Sequence, residues 1–363
     1  MSQSTRGKRY PNTYEIEQTL ADFCERKFIN QFAQSRGIFI FRANKTDLAA
    51  NISRYFFDDI DLETIRREAY RSSTTKKLSG FVISSPEMGF DPVDVFEKLR
   101  VALGDRDGYH LSEIEQLPAA KGANPVFRGE LEYERSKPGR IEFLQREPRF
   151  VDFKFQKIDS QAYQVYVEAD SSADVKKFED FINSRIEQVN VENLLFDQLS
   201  AAQTIQFFDD LSVRAMDTTW TLLQVKRLIF RRGEADGDNE ADQPTLGVIN
   251  QAILEGLNLR ENQFVRESEE AGYRFSSMTF EFEENKSAYF IEIRIEFKLR
   301  PAVFEITIEL YHRNELDDEN EMHRVNEQIG AELEFAIKTR AWHEAKAVYQ
   351  DILAGATDDD GDA

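Results

Sequence analysis

Asp152 and Lys154 stand two apart in VDFKF, and Glu130 and Glu132 stand two apart in an earlier alternating run. Residues two apart on a β-strand project from the same face. Two carboxylates and a lysine meeting at a sheet edge could hold Mg²⁺ and orient water, which is the machinery of a metal-dependent nuclease. The same Asp-x-Lys spacing is also what the polar side of any soluble strand shows. His312 and His323 flank an acidic loop that contains Asp317 and Asp318, so a metal site can be drawn there, with solvated surface histidines as the ordinary reading. HExxH, CxxC, GxxxxGK[ST] and GxGxxG are all missing, and Cys24 stands alone on an apolar helical stripe, where packing is its simplest role. No metal and no cofactor is expected.

Two further sets of residues could bind rather than react. Arg54, Arg66, Arg67, Arg71, Lys76 and Lys77 fall within a basic stretch, 36–77, and could touch a phosphate backbone. Against this, i,i+4 pairs such as Glu63 with Arg67 would make the same stretch a solvated helix surface. Phe207 and Phe208 are adjacent, as are Phe56 and Phe57, and neighbouring residues cannot both lie on one helical stripe. A helix apolar on two sides belongs between layers or at a subunit contact, so Phe207 and Phe208 are the candidates for a partner surface.

The elements that must position these residues follow from periodicity. In 289–312 Phe290, Ile291, Ile293, Ile295, Phe297 and Leu299 alternate with charged residues, Pro301 breaks the run, and Val303, Phe304, Ile306, Ile308 and Leu310 resume it. This is a half-buried antiparallel hairpin with Glu292 and Glu296 on its wet side. Strands are also expected over 126–134, 140–145, 150–156 and 161–169, with Lys137-Pro138-Gly139 as a turn, followed by a helix over 170–187 capped by Ser171 or Ser172. The later strands, at 273–283, 289–299 and 303–312, precede a closing helix over 322–353. Residues 189–217 and 246–259 read as helical, and 220–232 fits helix or strand.

Before these lie a helical stripe from Tyr14 ended by Gly37, helices over 45–57 and 61–70 with Asp61 as a cap, a strand over 78–84 and a helix over 91–103. The fold class expected is α+β: two antiparallel β-meander-plus-helix units joined by a helical tract, preceded by an α-rich N-terminal section. The domains read as a disordered 1–13, an α-rich 14–120, an α+β unit over 121–232, an acidic linker over 233–243, a C-terminal α+β unit over 244–354, and an acidic tail over 355–363.

Composition bounds the function. The chain has 363 residues with 41% hydrophobic content, enough for real cores. Its formal charge of −21 opposes loose binding to nucleic acid or anionic lipid. One cysteine allows no internal disulfide, and no apolar run reaches membrane-span length, so a cytoplasmic protein is expected. The reading is a non-catalytic regulatory or accessory subunit that acts through protein–protein contacts or self-association. A nucleic-acid-binding or nuclease component, in a setting such as prokaryotic defence, is the first alternative. A small-molecule sensor is the second.

Overall fold

A computed structural model describes residues 10–40, 43–71, 76–86, 91–103, 108–118, 124–136, 146–159, 161–186, 188–232, 251–256, 259, 263–270, 272–316 and 322–359. The expected 137–139 turn, the 140–145 strand and the 233–243 linker, and Asp317 and Asp318, lie outside the described residues. The architecture is α+β with a large antiparallel sheet. The chain divides into two compact units: residues 1–75, 96–114 and 129–151 form the first, and 76–95, 115–128 and 152–363 the second.

Helices dominate the first unit: α1 (Thr13–Gln18), α2 (Arg26–Ser35), α3 (Lys45–Ile52) and α4 (Asp59–Arg71). Asn12 and Glu15 close a capping box at the start of α1, and Asn44 caps α3 by accepting from the Asp47 amide. The single stripe expected from Tyr14 is in fact broken where Cys24 and Glu25 turn extended, and α2 starts afresh. At its end, Gly37 sits at φ +73 and the Ile38 amide reaches back to the Ala33 carbonyl, a glycine stop. The cap of α4 is Asp58, not Asp61. Asp58 accepts from the Asp61 amide at 2.8 Å, while Asp61 reaches back to the Asp58 amide at 3.1 Å. Ile16, Leu20, Ile29, Leu48, Phe57 and Ile65 close the core beneath these helices.

The second unit is built on β1 (Lys77–Ser84), the later part of β5 (Arg146–Lys157), β6 (Ala162–Ala169), β8 (Trp220–Arg232), β9 (Gln251–Glu255), β10 (Tyr273–Glu284), β11 (Tyr289–Leu299) and β12 (Ala302–Leu316). Their order is β5-β6-β1-β12-β11-β10-β8-β9. The expected hairpin is present as β11 and β12, with Ile295 opposite Ile306. β1 pairs with β6 along its length and meets β12 at Leu78 and Ile306, so it joins the strands of the two expected meanders in one sheet. Six consecutive buried residues in β1 show why. Phe81 packs under Phe178 of α6 (Ser172–Arg185) on one face, while Gly80 meets Trp342 of α9 (Ala331–Asp359) on the other. A strand covered on both sides reads as a continuous apolar run.

Several local expectations are corrected. The 220–232 segment is a strand, and so is 251–255, inside the expected helix over 246–259. Met322–Asn326 forms β13 against β12, and the closing helix starts only at Ala331. Within 189–217, Asn190–Glu192 is a strand on β1, and α7 (Ala201–Arg214) begins after a Ser200–Gln203 capping box. Ser171 precedes α6, with its hydroxyl turned to Asp174. Glu292 and Glu296 do lie on the polar face but are not wet. Lys298 holds Glu296 at 2.6 Å and Lys226 holds Glu292 at 2.5 Å, and these side chains cover one another.

Candidate partner-binding groove

In the first unit, Phe32 and Ala33 of α2, Arg36 and Ile38 beyond its end, Ile52 of α3, the Tyr55-Phe56-Phe57 turn and Asp61 of α4 enclose a cavity of about 300 Å³. Two local signals set this turn. α3 ends at Ile52, the chain turns through Ser53–Tyr55 with the Tyr55 amide donating to the Ile52 carbonyl at 3.0 Å, and the Asp58–Asp61 box starts α4 at Asp59. Between the turn and the box, neighbouring side chains take opposite sides. Phe57 therefore goes in, at 3% exposed, and Phe56 goes out, at 86%.

Ring stacking and hydrogen bonds hold the groove. Phe28, Phe32 and Phe57 stack at centroid separations of 5.8 and 6.1 Å. The Tyr10 hydroxyl donates to the Phe57 carbonyl at 2.6 Å and accepts from its amide at 3.1 Å, which pins the turn, and the Tyr10 ring stacks on Phe56 at 6.4 Å. Arg36 lies 5.8 Å from the Phe32 ring, is ion-paired with Asp61 and stands 3.7 Å from Asp58. Tyr55, which lines the groove, is exposed, and outside the groove Phe39 and Ile60 are exposed as well. Every exposed phenylalanine or tyrosine among the described residues belongs to this unit: Tyr10, Tyr14, Phe23, Phe39, Tyr55 and Phe56. In the second unit, although it is rich in phenylalanine, every described phenylalanine and tyrosine ring is buried or half-buried.

The candidates from the sequence fall elsewhere. Phe207 and Phe208 are fully buried, against Phe297 at 5.1 and 6.2 Å, so they form core rather than a partner surface. Between sheet and α9, a helix apolar on two sides is satisfied internally. Asp152 is engaged by Lys76 and stands 3.8 Å from Arg128, while Lys154 stands 3.8 Å from Glu168. Glu132 is paired with Arg67, and Glu130, on β4 (Val126–Ser136), is also engaged. Among the described residues no three metal-capable side chains converge.

The basic stretch is similarly committed to ion pairs. Arg66 meets Glu63 at 2.8 Å and Glu134 at 3.4 Å, and Lys77 meets Glu305 at 3.2 Å. Arg54 is exposed, and the side chain of Arg71 lies outside the described residues. His323 is exposed, but His312 is not the surface histidine expected. It is 1% exposed and stacked on Phe290, and burial first, then Arg324, pushes its imidazolium below the ordinary range.

No protein-family model matches the chain, and no curated protein matches it either. A solved structure of DynU16, from the dynemicin biosynthetic locus, aligns with 76% of this chain and 98% of its own at 9% identity and a TM-score of 0.16, too low to carry an inference. Among the described residues no helix is long and apolar enough to cross a membrane.

In the sequence the Phe56-Phe57 pair falls within the helix expected over 45–57, but that helix ends at Ile52 and the pair lies in the turn beyond it. The signal that could have found them is the pair's position between Ser53 and the Asp58–Asp61 box, where no helix can run.

Proposed function

We propose that this chain is a non-catalytic regulatory or accessory subunit that docks a partner protein in the groove of its helical unit. The observation that supports this reading is the confinement of exposed aromatic rings to that unit. Exposed rings around a preformed socket, mixed with an Arg–Asp pair, are the composition of binding hot spots. A cavity of about 300 Å³ takes one large side chain, and the fixed turn means little ordering cost on binding. Asp58 and Asp59 are exposed beside the socket, and the whole chain carries −21. The partner segment that fits is therefore one large apolar anchor flanked by lysine or arginine.

The test uses synthetic peptides with a central Trp or Leu between Lys/Arg flanks, and matched peptides with Glu flanks, titrated into labelled protein. Amide shifts should concentrate in residues 32–61 with the basic series alone. Phe56→Ser should weaken binding by about 2 kcal/mol, roughly thirtyfold, at unchanged stability. Shifts that map elsewhere, or binding indifferent to Phe56→Ser, would refute the reading. So would a protein dimer that Phe56→Ser converts to monomer, because the groove would then be filled by a second copy.

A further inference from the structure

Most lysines in the second unit that are withdrawn from solvent have a carboxylate at hand. Lys76 is paired with Asp152, Lys77 with Glu305, Lys154 with Glu168, Lys226 with Glu281 and Glu292, Lys298 with Glu296, and Lys338 with Glu334. Lys346, half-buried on α9, has no carboxylate within salt-bridge reach among the described residues. Its ammonium donates to the Gln164 side-chain oxygen at 3.3 Å and stands 5.7 Å from the Trp342 ring. The Gln164 amide nitrogen donates to the Phe81 and Val165 carbonyls at 3.0 and 3.1 Å, which aims its oxygen at Lys346. A charge withdrawn from water without a counter-charge is costly to keep, so an unpaired ammonium here calls for an explanation.

One turn earlier on the same helix side stands His343. Its Nε2 is bonded to the Tyr166 hydroxyl, and that hydroxyl in turn faces Gln156 Oε1 at 3.4 Å. With Tyr166 donating to Gln156, its oxygen accepts from an Nε2–H, an arrangement that suits a protonated His343 as well as a neutral one. The inner edge of the ring packs on Tyr166 and Trp342, while the residue as a whole stays exposed. Two acids are felt nearby. Glu344 is held by Arg214 at 3.3 Å and by Arg340 at 3.6 Å, and Glu192 of β7 (Asn190–Glu192) is exposed.

We propose that Lys346 and His343, oriented by Gln164 and Tyr166, form a binding site for one small oxyanion, the phosphate or carboxylate group of a small molecule. The Lys346 ammonium and the His343 imidazole lie one turn apart on α9, each hydrogen-bonded to a side chain of β6, and with Nε2 on Tyr166 the donor that a protonated His343 keeps for a ligand is Nδ1–H. Burial pushes both Lys346 and His343 below their ordinary ranges, and a bound anion would reverse that loss.

Only four histidines are present, so the His343 ring can be followed by NMR and assigned with His343→Gln. Inorganic phosphate, acetate and chloride are titrated at matched ionic strength. The expected result is a saturable shift of His343 with phosphate or acetate but not chloride, a rise in its pKa on binding, and, for acetate, whose charge is constant over this range, tighter binding at pH 6 than at pH 8. Saturation by phosphate alone assigns a phosphoryl ligand, and by acetate alone a carboxylate. Lys346→Met should weaken binding about tenfold or more, while Lys346→Arg keeps most of it, which guards against a loss due to misfolding. Glu192→Gln should tighten it, because a competing charge is removed. A His343 response equal for all three anions, or unaltered in Lys346→Met, overturns the proposal.

Discussion

A β-carbon at Gly80 would lie 2.5, 2.7 and 2.9 Å from Cε2, Nε1 and Cζ2 of Trp342. Real β-carbons do not come that close, so Gly80→Ala must move either β1 or α9. Trp342 is 0% exposed, and Tyr166 meets it edge-on at 5.8 Å, so the flat indole has nowhere to retreat. Overpacking a rigid core site costs about 3 kcal/mol at the upper end of its range. Gly80 is not at positive φ, so alanine also removes unfolded-state freedom and returns about 0.7 kcal/mol. The net loss is therefore about 2 kcal/mol, or about 4–8 °C in Tm for a unit of this size. Trp220 and Trp342, the only two tryptophans, both belong to the second unit, so their fluorescence in urea follows its unfolding. Gly80→Ala should lower the urea midpoint at unchanged slope. Trp342→Phe should be less harmful on the Gly80→Ala background than alone, with coupling of about 1 kcal/mol or more. A neutral Gly80→Ala, or two changes that simply add, would mean that α9 does not rest on β1.

Two further predictions follow from buried titratable groups. Burial, then Glu68, pushes the Cys24 thiol up to about 12 against the pull of Lys45. At pH 8 it should react with a disulfide reagent about a thousandfold more slowly in the folded protein than in urea, since a free thiol ionises near ~8.5. Equal rates would place Cys24 at the surface. Burial also holds His312 low among Arg324, Lys226, Glu281 and Glu292. The unfolded imidazole takes up its proton near pH ~6.5 and the folded one only below that, so the unfolded state binds more protons in between. Stability should fall as the pH drops below about 6.5, and His312→Gln should flatten that part of the curve. An unchanged slope would show that His312 protonates freely when folded.

The hairpin of β11 and β12 was legible because alternation over eleven residues leaves only one way to bury a face, and Gly37 because a left-handed stop needs glycine. Residues 251–255 and 322–326 were misread as helix. Five-residue apolar–polar runs satisfy either period, and pairing with Phe230 or His312 decided them. The candidate sites failed for a related reason. Asp152, Lys154, Arg66 and Arg67 show their charge in the sequence, but whether a charge is free depends on partners such as Lys76, Glu168, Glu134 and Glu132, which register brings together.

The sequence by itself determined the α+β class and the Gly37 stop, because alternation and a glycine stop act over a few residues. Only the tertiary structure decided which aromatic of the Phe56-Phe57 pair faces solvent and that, among the described residues, half-buried Lys346 has no carboxylate within salt-bridge reach. Phe207 and Phe208 disappear under the sheet, while Phe56 is turned out by the stop of one helix and the cap of the next. Lys346 is distinguished from other lysines by what α9 does not bring near it. Burial and charge pairing are properties of neighbours far apart in the chain, and no local pattern encodes them.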